Sequence, residues 1–417
     1  MTRFCAVVFA VTGLGELPSI IASVPPAAHG AHAAPAAAPK RQVGDPASIV
    51  EAVRAKHNLP ALIVATVSGS CLELSAAAGV RSNATREGFS LNDRVHLGSC
   101  TKAITATLAA LLVHDGTLKW DSTVGAVLGP SCASMDASWR DVTLEELLRH
   151  AGGAPANAPR EAWAQAWKCN DASRACRRAF IESIVSQPIA QPRGKFVYSN
   201  QGYAIVGAML EQVTDAEYET LATDRLFKPL GMTSAGFGPP PEASGHTPDG
   251  TPSNIDNPAA ISPAGRAHMT MEDWGKFVAL HVRRNGGAAL PLTRADFDHL
   301  HSLMAPAPAV APAPDQGDAA TPDATAAAPP PSEGMALGWM VVQRPWGGRM
   351  LTHAGSNTVW FCVAWLAPDR GFAVLAATNQ GGPKATKACD EAIGAVLAWR
   401  AAQQAIEERA KAAPPTQ

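Results

Sequence analysis

Ser99 and Lys102 stand three residues apart in Gly98-Ser99-Cys100-Thr101-Lys102, where a segment that reads as a helix over Thr101 to Val113 begins. Positions i and i+3 share a helix face, so this spacing sets a hydroxyl beside an ammonium. A helix N-terminus disfavours a protonated lysine, and partial burial pushes the same way, so a neutral Lys102 could accept the Ser99 proton. The same N-terminus offers backbone N–H groups to a developing oxyanion. Taken alone, the pair is better explained by an N-capping serine followed by a solvated lysine.

Two more segments change that balance. Tyr198-Ser199-Asn200 precedes a helical pattern over Gln201 to Val213 and is the only Tyr-x-Asn in a chain with three tyrosines. His353-Ala354-Gly355 closes a strand pattern over Gly348 to Thr352 and leads by a turn toward another. His-x-Gly also occurs at His96 and His150, so position and order single out His353.

In that order the three segments resemble the boxes of the serine β-lactamase and penicillin-binding protein superfamily. The nearest branch holds class C β-lactamases, D-amino-acid peptidases and carboxylesterases. Leu147 to Gly153, Leu226 to Met232 and Ala336 to Trp339 resemble it too, and the likeness runs from about Pro46 to Trp399. The resemblance implies that Ser99 attacks a carbonyl and forms an acyl-enzyme, with Lys102 and Tyr198 sharing the proton relay. It implies that Asn200 binds substrate amide and orients Lys102, that His353 lines the cleft opposite Ser99, and that the N–H groups of Ser99 and Ser356, just after Gly355, form the oxyanion hole. No metal or other cofactor is expected, since proton transfer within the protein generates the nucleophile. The expected partner is a small-molecule or peptide substrate.

The third box departs from the Lys-Thr-Gly of class C β-lactamases. A neutral His353 would supply a donor without a permanent charge, and Ala354 removes a hydroxyl that commonly helps hold a substrate carboxylate. Ser356 could compensate. Weaker anion capture predicts relatively better turnover of neutral esters or amides. Trp360 is close enough to the box to line an acyl pocket, while Cys100 reads as a buried, inert thiol turned away from Ser99. The alternative function is a penicillin-binding or sensor module of the same fold with little turnover.

These residues need elements to position them. Apolar spacing predicts a helix over Pro46 to His57, then strands over Ala61 to Val67 and Cys71 to Ala78. The middle is mostly helical, about 120–300, and includes a capping box at Thr143 and Glu146. Strands are expected over Ala336 to Gln343, Gly348 to Thr352, Val359 to Leu366 and Phe372 to Thr378, followed by a helix from about Lys384. Strands at both ends around a helical middle predict an α+β fold. Its antiparallel sheet, from about 46–98 and 334–400, would be flanked by the terminal helices as an αβα sandwich with an inserted helical region. The domain is expected over 41–400, interrupted by an Ala/Pro-rich surface insertion at about 304–333 and followed by a tail over 401–417.

Composition limits the alternatives. Of 417 residues 47% are hydrophobic and 17% charged, a globular balance, and a net charge of -2 gives no field for nucleic acid. Residues 1–40 read as a secretory leader, with Ala31 and Ala33 framing a cleavage site, or else as a short core helix or a tail. Export would make the protein periplasmic or secreted, with no stable membrane span once the leader is cleaved. Cys169 and Cys176 flank a polar loop and either pair in an oxidising compartment or stand as two thiols on a helical segment. His299 and His301 are expected on the solvated surface rather than around a metal.

Overall fold

The computed structural model describes residues 45–169, 174–303 and 332–412. The leader expected over 1–40 lies outside them, as does nearly all of the Ala/Pro-rich insertion.

The frame is a seven-stranded antiparallel sheet assembled from both ends of the chain. Its strands are β1 (Ala61–Ser68), β2 (Cys71–Gly79), β3 (Gly334–Met335), β4 (Met340–Arg344), β5 (Gly348–Ser356), β6 (Phe361–Ala367) and β7 (Phe372–Thr378), in the order β2-β1-β7-β6-β5-β4-β3. The join is β1 against β7, with Ile63 opposite Ala377 and Val67 opposite Ala373. The central strands are apolar throughout rather than alternating, because both faces of the sheet are covered.

The pleat sends successive side chains to opposite faces. Ile63 and Ala65 of β1, Cys362 and Ala364 of β6, and Leu375 of β7 join the large core shared with the helical region. Their neighbours Leu62, Val64, Val363, Trp365 and Val374 join a second core with Val50 and Val53 of α1 (Pro46–Lys56) and Ala385, Ala388, Ala392 and Ile393 of the terminal helix. The fold is therefore α+β, with the sheet between two helical layers, as the alternation of segments implied. The terminal helix spans Pro383–Ala412 and so continues through the boundary expected at residue 400.

Helix α2 (Thr101–His114) runs through the large core and is buried from Thr101 to Leu112. Its alanines and threonines are small enough to be enclosed on every side, and Thr101, Thr105 and Thr107 donate their hydroxyls to backbone carbonyls. A 3-10 turn, Gly98–Cys100, precedes it. Helix α3 (Asn200–Thr214) is capped by Ser199, whose hydroxyl accepts the Gly202 N–H. The capping box at Thr143 and Glu146 is complete. Cys169 and Cys176 are joined by a disulfide.

Three segments differ from expectation. Ala336 to Trp339 is not strand; Gly338, at φ +77°, turns the chain against α2, where a Cβ would fall 2.7 Å from Ala103 Cα. Strand β5 extends through His353 to Ser356 instead of ending at Thr352. His301 is buried rather than solvated, its Nε2 2.9 Å from His281 Nδ1, and His299 stacks on Trp120. Among the described residues no helix is long and apolar enough to cross a membrane.

Candidate active site

Ser99, Lys102, Tyr198 and Asn200 converge where the start of α2 meets the start of α3. Tyr198 Oη donates to Ser99 Oγ at 2.7 Å, and Lys102 Nζ lies 3.1 Å from the same oxygen. The other partners of Nζ are Asn200 Oδ1 at 2.7 Å and the Ala264 carbonyl at 2.8 Å. Lys102 has no exposed surface, and burial pushes its ammonium well below the usual lysine range. Burial raises the Tyr198 phenol, so it keeps its proton.

These contacts fix what each group can do. Asn200 Oδ1 and the Ala264 carbonyl can only accept, so they occupy the two N–H bonds of a neutral amine. In that neutral state the remaining lone pair of Lys102 would face Ser99 Oγ, 3.1 Å away, whereas an ammonium would donate there. Tyr198, protonated, donates a hydrogen bond to the same oxygen.

Strand β5 brings the third box alongside. A Cβ on Gly355 would lie 1.9 Å from the Leu97 carbonyl and 2.9 Å from Ser99 N, and one on Gly98 would lie 2.3 Å from Ser356 N. Only glycine allows this approach at both positions, and at Gly98 a φ of +46° adds its own requirement. The backbone at Ser99 and that at Ser356 are thereby brought close together.

His353 is 8% exposed, and its Nδ1 lies 2.7 Å from the Gly338 carbonyl, which can only accept. Nδ1 therefore carries the proton. Burial, then the nearby Lys102, lower its pKa to about 4, so the ring is neutral and Nε2 is an acceptor. The donor role expected of His353 is corrected accordingly: its one N–H is committed to the backbone. Ala354 packs toward the terminal helices, on the opposite face of β5 from Gly355. Because β5 runs on through this position, the pleat turns residue 354 away from Ser99, and a hydroxyl there would not reach the cleft. Nor does the Ser356 hydroxyl compensate, since it donates to the Trp360 carbonyl and accepts the Thr358 N–H. What Ser356 presents to the site is its backbone. Trp360 is 1% exposed and belongs to the core rather than to a pocket wall. Cys100 is buried, with its thiol donating to the His353 carbonyl.

His150 received no role from its sequence, although it lies in one of the stretches that carry the resemblance. Its ring sits 4.4 Å from that of Tyr198, and its Nδ1 accepts the Ser199 N–H at 3.0 Å, bracing the Tyr198 segment. Burial, with Lys102 and His353 nearby, keeps this ring neutral. A left-handed backbone, φ +60°, at a bulky residue was the signal that only the fold displays. The Ala264 carbonyl had no signal at all, because every residue has one. Among the described residues no group of three or more His, Cys, Asp or Glu is arranged to hold a metal ion.

The family profile described as Beta-lactamase matches residues 47–398. Penicillin-binding protein 4 of Amycolatopsis lactamdurans is 29% identical over 56% of this chain and 62% of its own length. Lovastatin esterase of Penicillium rubens is 26% identical over 59% of this chain and 64% of its own length, so the chain spans under two thirds of either relative. Among solved structures, the octameric penicillin-binding protein homologue from Pyrococcus abyssi superposes with a TM-score of 0.66 at 20% identity, covering 86% of this chain and 78% of that one. A class C beta lactamase from Rhodobacter sphaeroides gives 0.65 at 18% identity, covering 84% and 99%. These likenesses show a shared fold, and the named relatives include a lovastatin esterase and an unguisins hydrolase. On the match over residues 47–398, the chain belongs to the beta-lactamase family.

Proposed function

We propose that the protein is a serine hydrolase that forms an acyl-enzyme at Ser99 on an ester, amide or β-lactam carbonyl. One observation carries this reading: Lys102 Nζ lies 3.1 Å from Ser99 Oγ with two acceptors as its other partners, so that in the neutral amine those acceptors take its N–H bonds and the lone pair falls to Ser99. Lys102 takes the Ser99 proton as Oγ bonds to the carbonyl carbon, and the N–H groups of Ser99 and Ser356 receive the oxyanion. As the bond to the leaving group breaks, Tyr198 gives that group its proton and is reprotonated from Lys102. Water then attacks the acyl carbonyl and gives a proton to Lys102, and as the bond from the acyl carbon to Oγ breaks that proton returns to Ser99 and the acid leaves.

The neutral His353 argues for a substrate with no carboxylate near the scissile bond, hence an ester or uncharged amide before a penicillin or a D-alanyl peptide. The disulfide between Cys169 and Cys176 supports an exported, periplasmic or secreted protein. The test is parallel hydrolysis of an aryl butyrate, a chromogenic cephalosporin and a D-alanyl-D-alanine peptide by the protein and by Ser99→Ala. Ester turnover that exceeds the other two and vanishes in Ser99→Ala supports the reading. Cephalosporin turnover far above ester turnover overturns the substrate preference, and a long-lived penicillin adduct without turnover favours the sensor alternative.

A further inference from the structure

We propose that Asp256 is a positioning residue that fixes the separation of the two backbone arms forming the oxyanion site. The inference rests on the serine-hydrolase reading above. Asp256 is 9% exposed and reaches both arms with one carboxylate.

Toward the Ser99 arm, Asp256 Oδ1 lies 2.8 Å from His96 Nε2, a close electrostatic contact that does not meet hydrogen-bond geometry. His96 Nδ1 accepts the Gly98 N–H at 3.0 Å, so the ring's proton sits on Nε2, facing the carboxylate. Toward the other arm, Oδ1 accepts from Asn357 Nδ2 at 3.2 Å. Asn357 follows Ser356, and its own Oδ1 accepts the Trp360 N–H at 3.0 Å, which closes the turn from β5 to β6. A third branch reaches Lys102: Oδ2 accepts from Arg266 Nε at 3.1 Å, and the neighbouring Asn257 donates to the Gly265 carbonyl at 2.7 Å, next to Ala264.

None of these side chains hydrogen-bonds Ser99 Oγ, whose partners are Lys102 and Tyr198. Its consequence is geometric: oxyanion donors are effective only when held within about 0.5 Å of the productive position. Burial opposes the charge on Asp256, but the polar groups around it, the Arg266 guanidinium among them, outweigh it and lower the pKa, so the anchor is ionised at neutral pH. Asparagine in its place would keep the shape and lose the charge that holds the His96 ring and Arg266.

The test compares the full chain with Asp256→Asn and with Asn357→Ala, which cuts the Ser356 branch at both its Asp256 contact and its Trp360 bond. Three readouts are taken: single-turnover acylation by an aryl ester, inhibition by an aryl trifluoromethyl ketone, whose adduct places an oxyanion in the site, and thermal unfolding. The expected result for Asp256→Asn is acylation slowed about 10- to 100-fold, with trifluoromethyl ketone affinity lost by a similar factor. Apparent ester binding stays within about threefold, a split that a merely structural role would not produce. Asn357→Ala shows the same split with a smaller loss, and decides the matter alone if Asp256→Asn does not fold. Unchanged acylation in a folded variant overturns the inference, as does an equal loss of ester and ketone binding. If the unsubstituted chain is not acylated at Ser99, it is the underlying reading that fails, an outcome distinct from either.

Discussion

Lys102 Nζ and Asn200 Oδ1 are 2.7 Å apart, and a neutral amide at that position leaves a buried amine without a counter-charge. Introducing a carboxylate there stabilises the ammonium. Asn200→Asp is expected to raise the Lys102 pKa and move the acid limb of kcat/KM upward by more than about one pH unit. At neutral pH, activity then falls about tenfold or more. A pH–rate profile for the two proteins checks this, and an unmoved acid limb means that Lys102 is not the base.

Stability carries the same signature. The unfolded chain holds a proton on Lys102 up to its ordinary 10.5, whereas the folded chain releases it well below that. Between those two values the unfolded state binds more protons, so this group's contribution to stability falls as pH is lowered, by up to about 1.4 kcal/mol per unit, until the folded state also binds the proton. Lys102→Met is expected to remove that slope while abolishing acylation. Urea unfolding of both proteins at several pH values measures the difference, and parallel curves would contradict a neutral Lys102.

His353 sets the response to substrate charge. With a pKa of about 4 and its Nδ1–H given to Gly338, it places no cation in the cleft above pH 5. His353→Lys is expected to raise the ratio of cephalosporin to aryl-ester kcat/KM at least about tenfold, because an ammonium attracts the substrate carboxylate. A ratio that does not change means the third box is not where that carboxylate lies.

Away from the site, Arg177 is fully buried between Glu211 at 2.6 Å and Glu219 at 2.7 Å. Removing one partner of a buried ion pair strands the other charges, so Arg177→Ala is expected to cost about 3–5 kcal/mol. Labelling of Ser99 well below the melting transition stays normal. A loss under about 1 kcal/mol by chemical denaturation would show that water reaches the two glutamates.

What could be read from the sequence was what lies in short range. The Ser99 and Lys102 spacing, the Ser199 cap ahead of α3 and the turn-separated strands each depend on neighbours within a few residues, and the order of the boxes added the rest. Contacts between distant segments left no such mark. The Ala264 carbonyl meets Lys102 across 162 residues, and nothing in Pro263-Ala264-Gly265 distinguishes it. The roles assigned to Ala354, Ser356 and Trp360 presumed that β5 ends before the third box. Its continuation through Ser356 changes which face each side chain takes, and a sequence shows strand ends poorly. The tautomer of His353 depends on Gly338, fifteen residues away in another turn.

The central claim is that Ser99 is a nucleophile activated by Lys102. Intact-mass analysis after treatment with a fluorophosphonate tests it most directly, using the protein, Ser99→Ala and Lys102→Met. The expected result is one adduct per chain, mapped to Ser99, absent in Ser99→Ala and slowed at least about 100-fold in Lys102→Met. Labelling that persists in Ser99→Ala, or proceeds unhindered in Lys102→Met, would contradict it.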